Sequence, residues 1–266
     1  MTTATTTTAT ATTRASRSRL PRRLPAVLAF AAFLLAWTAY AAVAPGGGRL
    51  LPTPLAVIEQ LVVDGAMIMG ALSVTLVSAL QGLLYGTLVA FAGCVIVVSV
   101  PFLRRATTRQ LTIVYCIPLA AIAPLLFLLL PLPGPHVALA AIAVVFPVYI
   151  SLVQGLTASH AQWEDLANVV GGGRIAYFFR VQVPASTPNL LVAARIAGPT
   201  AVLGTTLAEY FGGTRGVGVL MINSMAQVNA PRAYALGLVI TLLSVVVYLL
   251  VDAVERLLPW TAELGS

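Results

Sequence analysis

Two long stretches of this chain carry no acidic or basic side chain, and they restrict its fold more than any other feature. No Asp, Glu, Lys or Arg occurs in the first stretch, Gly65–Leu103, or in the second, which runs from Gln110 to Trp163. Of all 266 residues, 9% are charged and 59% are hydrophobic, whereas a soluble domain carries about 25% charged residues. The mean hydropathy is +0.96. We therefore expect an all-α membrane protein, since a helix satisfies its own backbone polar groups inside a bilayer.

The apolar runs predict six transmembrane helices. A Gly/Pro-rich linker follows the first run, and the turn Pro131–His136 separates the third run from the fourth. The first run resembles the apolar part of a signal peptide, but it is long enough to cross a bilayer and lacks a good cleavage site, so we expect a retained helix. Leu55–Val63, which contains Glu59, predicts a short interfacial helix. The six predicted spans are Leu24–Val43, Gly65–Leu103 as one long helix or a bent one, residues 111–130, residues 137–156, Pro188–Ala208 and Ala233–Val254.

The placement of the arginines predicts the orientation of the spans. Residues 1–23 form a Thr/Ala/Ser-rich tail with five arginines, which we expect to be disordered and cytoplasmic. Alternation then places both termini and most other arginines in the cytoplasm, and residues 24–266 form the membrane domain. The net charge of +7 lies in short clusters beside apolar runs, which indicates membrane topology and not nucleic-acid binding.

A polar segment of the predicted cytoplasmic loop, residues 157–187, has the pattern of a docking helix. Trp163, Leu166, Ala167 and Val170 recur at the spacing of one helical face. Glu164 and Asp165 stand in the first turn, where the helix dipole favours acids. Three glycines from Gly171 end this helix, a second helix begins near Ile175, and Pro184 and Pro188 are expected to interrupt the chain. A short amphipathic helix with no core of its own suggests docking into a groove on another protein.

This loop resembles the cytoplasmic "EAA" loop of ABC importer permeases, with the pattern E-A-A-x-x-x-G, nine residues, then I-x-L-P. Asp165 stands at the E position, Leu166 and Ala167 at the two A positions, and Gly171 at the G. Val181, Val183 and Pro184 stand at I, L and P. Leu166 departs from the pattern. The segments LPTPLAVIEQL, IPLAAIAPLLFLLL, FPVYISLVQGL and LAEYFGGTRGVGVLM also resemble, in order, segments of the nitrate/sulfonate/taurine-type permeases.

The resemblance implies a type I ABC importer permease fold in the cytoplasmic (inner) membrane. It implies a second permease subunit, expected as a homodimer, a cytoplasmic ATPase dimer, and an external binding protein that delivers a small organic or inorganic anion such as a sulfonate, taurine or nitrate. A vitamin precursor or an aromatic acid is the alternative cargo. The residues implied to couple to the ATPase are Trp163, Glu164, Asp165, Leu166, Ala167, Val170, Gly171, Gly172, Arg174 and Pro184.

No catalytic or cofactor-binding pattern is found in the chain. The glycine-rich segments lack the lysine of a phosphate-binding loop, so ATP and Mg²⁺ are expected to be used by the partner ATPase and not bound here. His136, His160, Cys94 and Cys116 lack ligand-spaced neighbours, so we expect no metal site. An autonomous channel or secondary transporter is a second hypothesis, and a membrane-embedded enzyme is a weaker third.

Four residues in the spans are candidates for the substrate path. Arg195 either attracts an anion or pairs across helices, because an intramembrane charge needs a partner or a function. Glu209, at the external end of the fifth span, either pairs with an arginine or shapes an external gate. Phe146 and Tyr149 either line the path or pack in the core.

Overall fold

The fold is all-helical throughout the part of the chain that the structure describes. The computed structural model describes residues 24–43, 50–99, 110, 112–157, 180 and 182–257, and no strand occurs among them. The all-α prediction is confirmed. The helices of ten residues or more in these ranges are α1 (Leu24–Val43), α2 (Pro54–Val63), α3 (Gly65–Ser99), α4 (Leu119–Leu129), α5 (Gly134–Thr157), α6 (Val183–Gly212), α7 (Val217–Ala226) and α8 (Ala230–Leu257).

Five of these helices, α1, α3, α5, α6 and α8, are long and apolar enough to cross a membrane. The long second span is one helix over Gly65–Ser99, which confirms the prediction for that part, and residues 100–103 lie outside the described residues. The predicted interfacial helix is α2, which Thr53 caps by accepting a hydrogen bond from the Ala56 amide. Pro54 fits the first turn of α2 because the N–H that proline lacks has no partner there.

The third predicted span, residues 111–130, is not a continuous helix. A helical turn at residues 112–115 ends at Cys116, and α4 begins only at Leu119. Pro118 explains the break, because its ring disfavours helical geometry at Ile117 and it has no N–H to donate. The span was predicted as continuous because this run contains no charged residue. With 11 residues, α4 is about 16 Å long, roughly half the thickness of the hydrocarbon core.

The core of the molecule is made by α3, α5 and α6, whose backbones approach closely through small residues. A Cβ on Gly82 in α3 would lie 2.3 Å from the Ala140 Cβ in α5, and a Cβ on Gly204 in α6 would lie 2.8 Å from the Ala140 Cα. Small residues at such contacts allow close van der Waals packing, which drives helix association where lipid removes the hydrophobic drive. The remainder of this core is filled mainly by buried alanines and valines, together with Cys94, Tyr149 and two leucines.

Contacts between distant segments show that the spans alternate in direction. Asp64, before α3, pairs with Arg232 at the start of α8, and the Arg232 Nε lies 2.5 Å from the Asp64 Oδ2. This hydrogen-bonded ion pair lowers the pKa of Asp64. A Cβ on Gly212, which ends α6, would lie 3.0 Å from Phe127 in α4. We call this the external end, and the end with Thr157, Val183 and Leu257 the cytoplasmic end, following the arginine distribution.

Candidate functional site

The predicted coupling loop is carried by two helices that pack against each other at the cytoplasmic end. α5 ends at Thr157 and α6 begins at Val183. A Cβ on Gly155 would lie 2.8 Å from the Asn189 Cβ and 3.0 Å from the Ser186 Cβ. The loop therefore leaves and re-enters the membrane domain at one place. The predicted coupling residues from Trp163 to Arg174 lie outside the described residues, so their docking role stays a prediction.

Pro184 is the one predicted coupling residue that the structure describes, and it lies exposed in the first turn of α6. The prediction that Pro184 and Pro188 interrupt the chain before the span is wrong. α6 runs through both prolines and ends at Gly212. The first turn tolerates Pro184 because its amide has no intrahelical partner. The helix that crosses the membrane is thus continuous with the end of the loop.

Arg195 lies in α6 and pairs with a carboxylate of α8. Its Nη2 is 2.8 Å from the Asp252 Oδ1, and the other Asp252 oxygen is 2.9 Å from the Arg256 Nε. The side chains of Arg195 and Asp252 are 27% and 18% exposed, whereas Arg256 is 79% exposed. Asp252 therefore balances a charge inside the span, and Arg195 ties α6 to α8 near the cytoplasmic end.

Glu209 lies at the other end of α6, where its side chain is shielded from solvent. The residue is 1% exposed. Its carboxylate accepts a hydrogen bond from the Thr75 hydroxyl of α3, at 2.8 Å from Oε1 and 2.9 Å from Oε2, and another from the Gly218 amide of α7, at 2.9 Å. In this conformation Glu209 therefore faces no open path. None of its described hydrogen bonds comes from an arginine.

Phe146 and Tyr149, three residues apart on α5, have different surroundings. Phe146 stacks on Tyr115, with ring centroids 4.3 Å apart and planes inclined by 17°. The rings of Phe146 and Tyr115 line an apolar groove of about 150 Å³. Tyr149 is 1% exposed and belongs to the core between the helices, where a Cβ on Gly93 in α3 would lie 3.8 Å from its ring. The structure brings neither ring near Arg195 or Glu209 among the described contacts. The other groove residues are Val114, Ile117, Leu119, Ile122, Ile142 and Val145.

The partners of the two charged candidates were not predicted from the sequence. Asp252 could have been found, because it is the acidic residue of the last apolar run and arginine in a span needs a counter-charge. Thr75 lies 134 positions from Glu209 in an apolar run, and no local pattern marks it. Tyr115 was hidden in the third span, which was expected to be a regular helix.

Bilayer-length helices joined by a loop with EAA spacing define a multi-pass membrane transport subunit of the ABC importer class. The chain belongs to the family described as "binding-protein-dependent transport system inner membrane component", whose model matches residues 82–259. It is therefore a permease subunit of an ABC importer and a multi-pass protein of the cell membrane. The binding-protein-dependent family implies, in general terms, an ATPase and a substrate-binding protein as partners.

Relatives that align over most of the chain have names of the same kind. A Haemophilus influenzae protein named as an ABC transporter permease is 26% identical over 90% of this chain and 98% of its own length. The formylaminopyrimidine transport permease ThiX of Halalkalibacterium halodurans is 26% identical over 81% of this chain and 87% of its own. SsuC of Bacillus subtilis, named for aliphatic sulfonate transport, is 27% identical over 88% and 83%. The named substrates differ, so these similarities support the class and not one cargo.

Proposed function

We propose that this chain forms, with a second copy of itself, the translocation path of an importer that a cytoplasmic ATPase dimer drives. The observation that carries the proposal is the loop of residues 158–182, which has EAA spacing and joins the packed ends of α5 and α6. An ATPase that moves the docking helix near Asp165 would move both helices. Rigid-body motion of packed helices is a common way to alternate access. The ATPase, not this chain, would bind ATP and Mg²⁺.

The proposed cargo is a small organic or inorganic anion, like a sulfonate, taurine or nitrate, delivered by an external binding protein. The similarity to SsuC supports this class. A specific observation favours the alternative, a vitamin precursor or aromatic acid. The groove beside Tyr115 and Phe146 is apolar and suits a flat ring, and Arg195 already has Asp252 as its counter-charge. The similarity to ThiX also supports this alternative.

Co-purification from the native membrane tests the proposed assembly. The tagged full-length chain, extracted in mild detergent, should carry an ATPase subunit with an intact phosphate-binding loop, and the complex should hydrolyse ATP. The mass of the complex should equal two permease copies plus two ATPase copies. Transport driven by an ion gradient, with no ATPase accompanying the chain, would instead support an autonomous secondary transporter.

A further inference from the structure

Glu209 is a buried acid whose hydrogen bonds join three helices at the external end. It stands in the last turn of α6, Thr75 stands in α3, and Gly218 is the second residue of α7. A carboxylate taken out of water is costly unless donors satisfy it. The donors here come from two other helices, so the acid connects elements that the chain separates.

The Thr75 hydroxyl extends this connection to the backbone of the external segment, which we define as Gly213–Ala226. Its one hydrogen is directed to the Glu209 carboxylate, and its oxygen accepts a hydrogen bond of 2.9 Å from the Val217 amide. Both amides at the start of α7 are thus satisfied by side chains of α3 and α6. The hydroxyl also lies 3.3 Å from the Ala71 carbonyl in its own helix.

Two glycines close the site around the carboxyl group. Gly216 has a φ of 122°, which favours glycine, and a Cβ there would lie 2.1 Å from the Glu209 Cδ. A Cβ on Gly218 would lie 2.4 Å from the Thr206 carbonyl oxygen. The backbone at Gly216 and Gly218 therefore approaches Glu209 and its helix more closely than a residue with a Cβ would permit. Separating the segment from α3 and α6 would remove the Gly218 donor from the buried Glu209 carboxylate and leave the Val217 amide without its Thr75 acceptor, and folded proteins avoid such unpaired buried groups.

We propose that Glu209 is a positioning residue that fixes the external segment to α3 and α6, so that all three move as one body when access alternates. The part of the proposal that concerns movement rests on the proposed transport function. The joint that opens the path then lies outside this site. Neither Glu209 nor Thr75 needs to touch cargo for this role.

The first test measures whether the site anchors the segment, and it does not depend on transport. Ser224, buried in α7, is replaced as Ser224→Cys in the full-length protein, and its labelling by a membrane-impermeant maleimide is timed. The parent protein gives the background from Cys94 and Cys116. Adding Thr75→Val should raise the labelling rate at least tenfold. Thr75→Ser, which keeps the hydroxyl, should stay within threefold of the parent rate.

Thr205→Val is the matched control, because the Thr205 hydroxyl is buried in α6 without a hydrogen bond among the described residues. It should leave the labelling rate within twofold. Equal rates in Thr75→Val and Thr205→Val would overturn the anchoring role. If Thr75→Val yields no folded protein, Glu209→Gln with the same readout replaces it, because an uncharged amide weakens both hydrogen bonds without removing volume.

The second test asks whether the segment and α3 move together. Thr75 and Val217 are joined by a hydrogen bond, which keeps their Cα atoms within about 7 Å, near the upper limit for a disulfide. The double variant Thr75→Cys, Val217→Cys is oxidised with copper phenanthroline in proteoliposomes that contain the complete transporter. Oxidation should leave ATP-driven uptake at half or more of the unmodified rate, and Thr75→Cys alone controls for the native cysteines.

A contrary result would be loss of uptake on oxidation that dithiothreitol restores, because the site would then have to open in each cycle. The two proposals fail in different ways. If the unmodified transporter shows no ATP-dependent uptake, the proposed function fails, whereas the maleimide rates still decide whether the site formed by Thr75 and Glu209 anchors the segment.

Discussion

At the scale of single residues, the two charged candidates in α6 are stabilised in the span by different kinds of partner. Arg195 has a counter-charge on another span, and Asp252 also contacts Arg256 at the cytoplasmic end. Glu209 has hydroxyl and amide donors and a closed surrounding. Both arrangements follow from the cost of leaving an ionised group unpaired in an apolar medium.

The pair of Arg195 and Asp252 makes a prediction about stability. Asp252→Asn leaves the Arg195 charge in the span without its partner, so it should destabilise the protein by about 1–2 kcal/mol. Melting in detergent should fall by roughly 2–8 °C. The double variant Arg195→Gln, Asp252→Asn should be more stable than the sum of the single changes predicts, because the unpaired charge is gone.

Arg256→Gln is the control for this cycle, because Arg256 is mostly exposed and its loss should change the melting temperature little. The same variants separate the two roles that Arg195 could have. If Arg195→Gln leaves the melting temperature unchanged but lowers uptake of an anionic cargo, Arg195 attracts anions in the path. That outcome would contradict the structural role.

At the scale of the helices, the sequence predicted what is local and missed what is not. Length and hydropathy were sufficient for α1, α3, α5 and α8, and the predicted interfacial helix, Leu55–Val63, begins one residue after the observed start of α2 at Pro54. The break before Pro118 had a local signal, but the uninterrupted apolar run outweighed it. The start of α6 was predicted too late, at Pro188. Pro184 was interpreted as a break in the chain, whereas it lies in the first turn of the helix. The partners Thr75 and Asp252 depend on tertiary contacts, which periodicity does not encode.

Residues on both sides of the break between residues 115 and 119 line the apolar groove, and this groove leads to a prediction about cargo. If the cargo carries an aromatic ring that stacks beside Phe146, Phe146→Leu should raise its half-saturating concentration about fivefold, because one stacking contact contributes roughly 1 kcal/mol. Uptake of a taurine-like sulfonate should be unchanged. The measurement is uptake into proteoliposomes with each cargo and its binding protein.

Phe127→Leu is the matched control for the groove, because it makes the same change in α4 next to His136, outside the groove lining. It should alter neither half-saturating concentration. Equal effects of Phe146→Leu and Phe127→Leu on the aromatic cargo would contradict a cargo contact in the groove.

At the scale of the whole molecule, α6 connects the proposed ATPase-coupling loop with the external segment around Glu209. Its 30 residues span about 45 Å, from the end of the cytoplasmic loop to Gly212, three residues beyond Glu209. Close backbone contacts join it to α5, the hydrogen bond from Thr75 to Glu209 joins it to α3, and Arg195 ties it to α8. A movement applied at the loop would therefore reach the external segment through packed helices and few flexible joints.

The central claim is that ATP-driven motion enters the membrane domain through the loop helix near Asp165. The most direct measurement is the ratio of cargo uptake to ATP hydrolysis in proteoliposomes containing Ala167→Arg with Gly171→Glu, compared with Ala161→Arg, a control in the same loop outside the EAA pattern. The double variant should keep the melting temperature of its spans but lose at least tenfold in this ratio, while the control should stay within twofold. An unchanged ratio in the double variant would show that the loop helix does not transmit the motion.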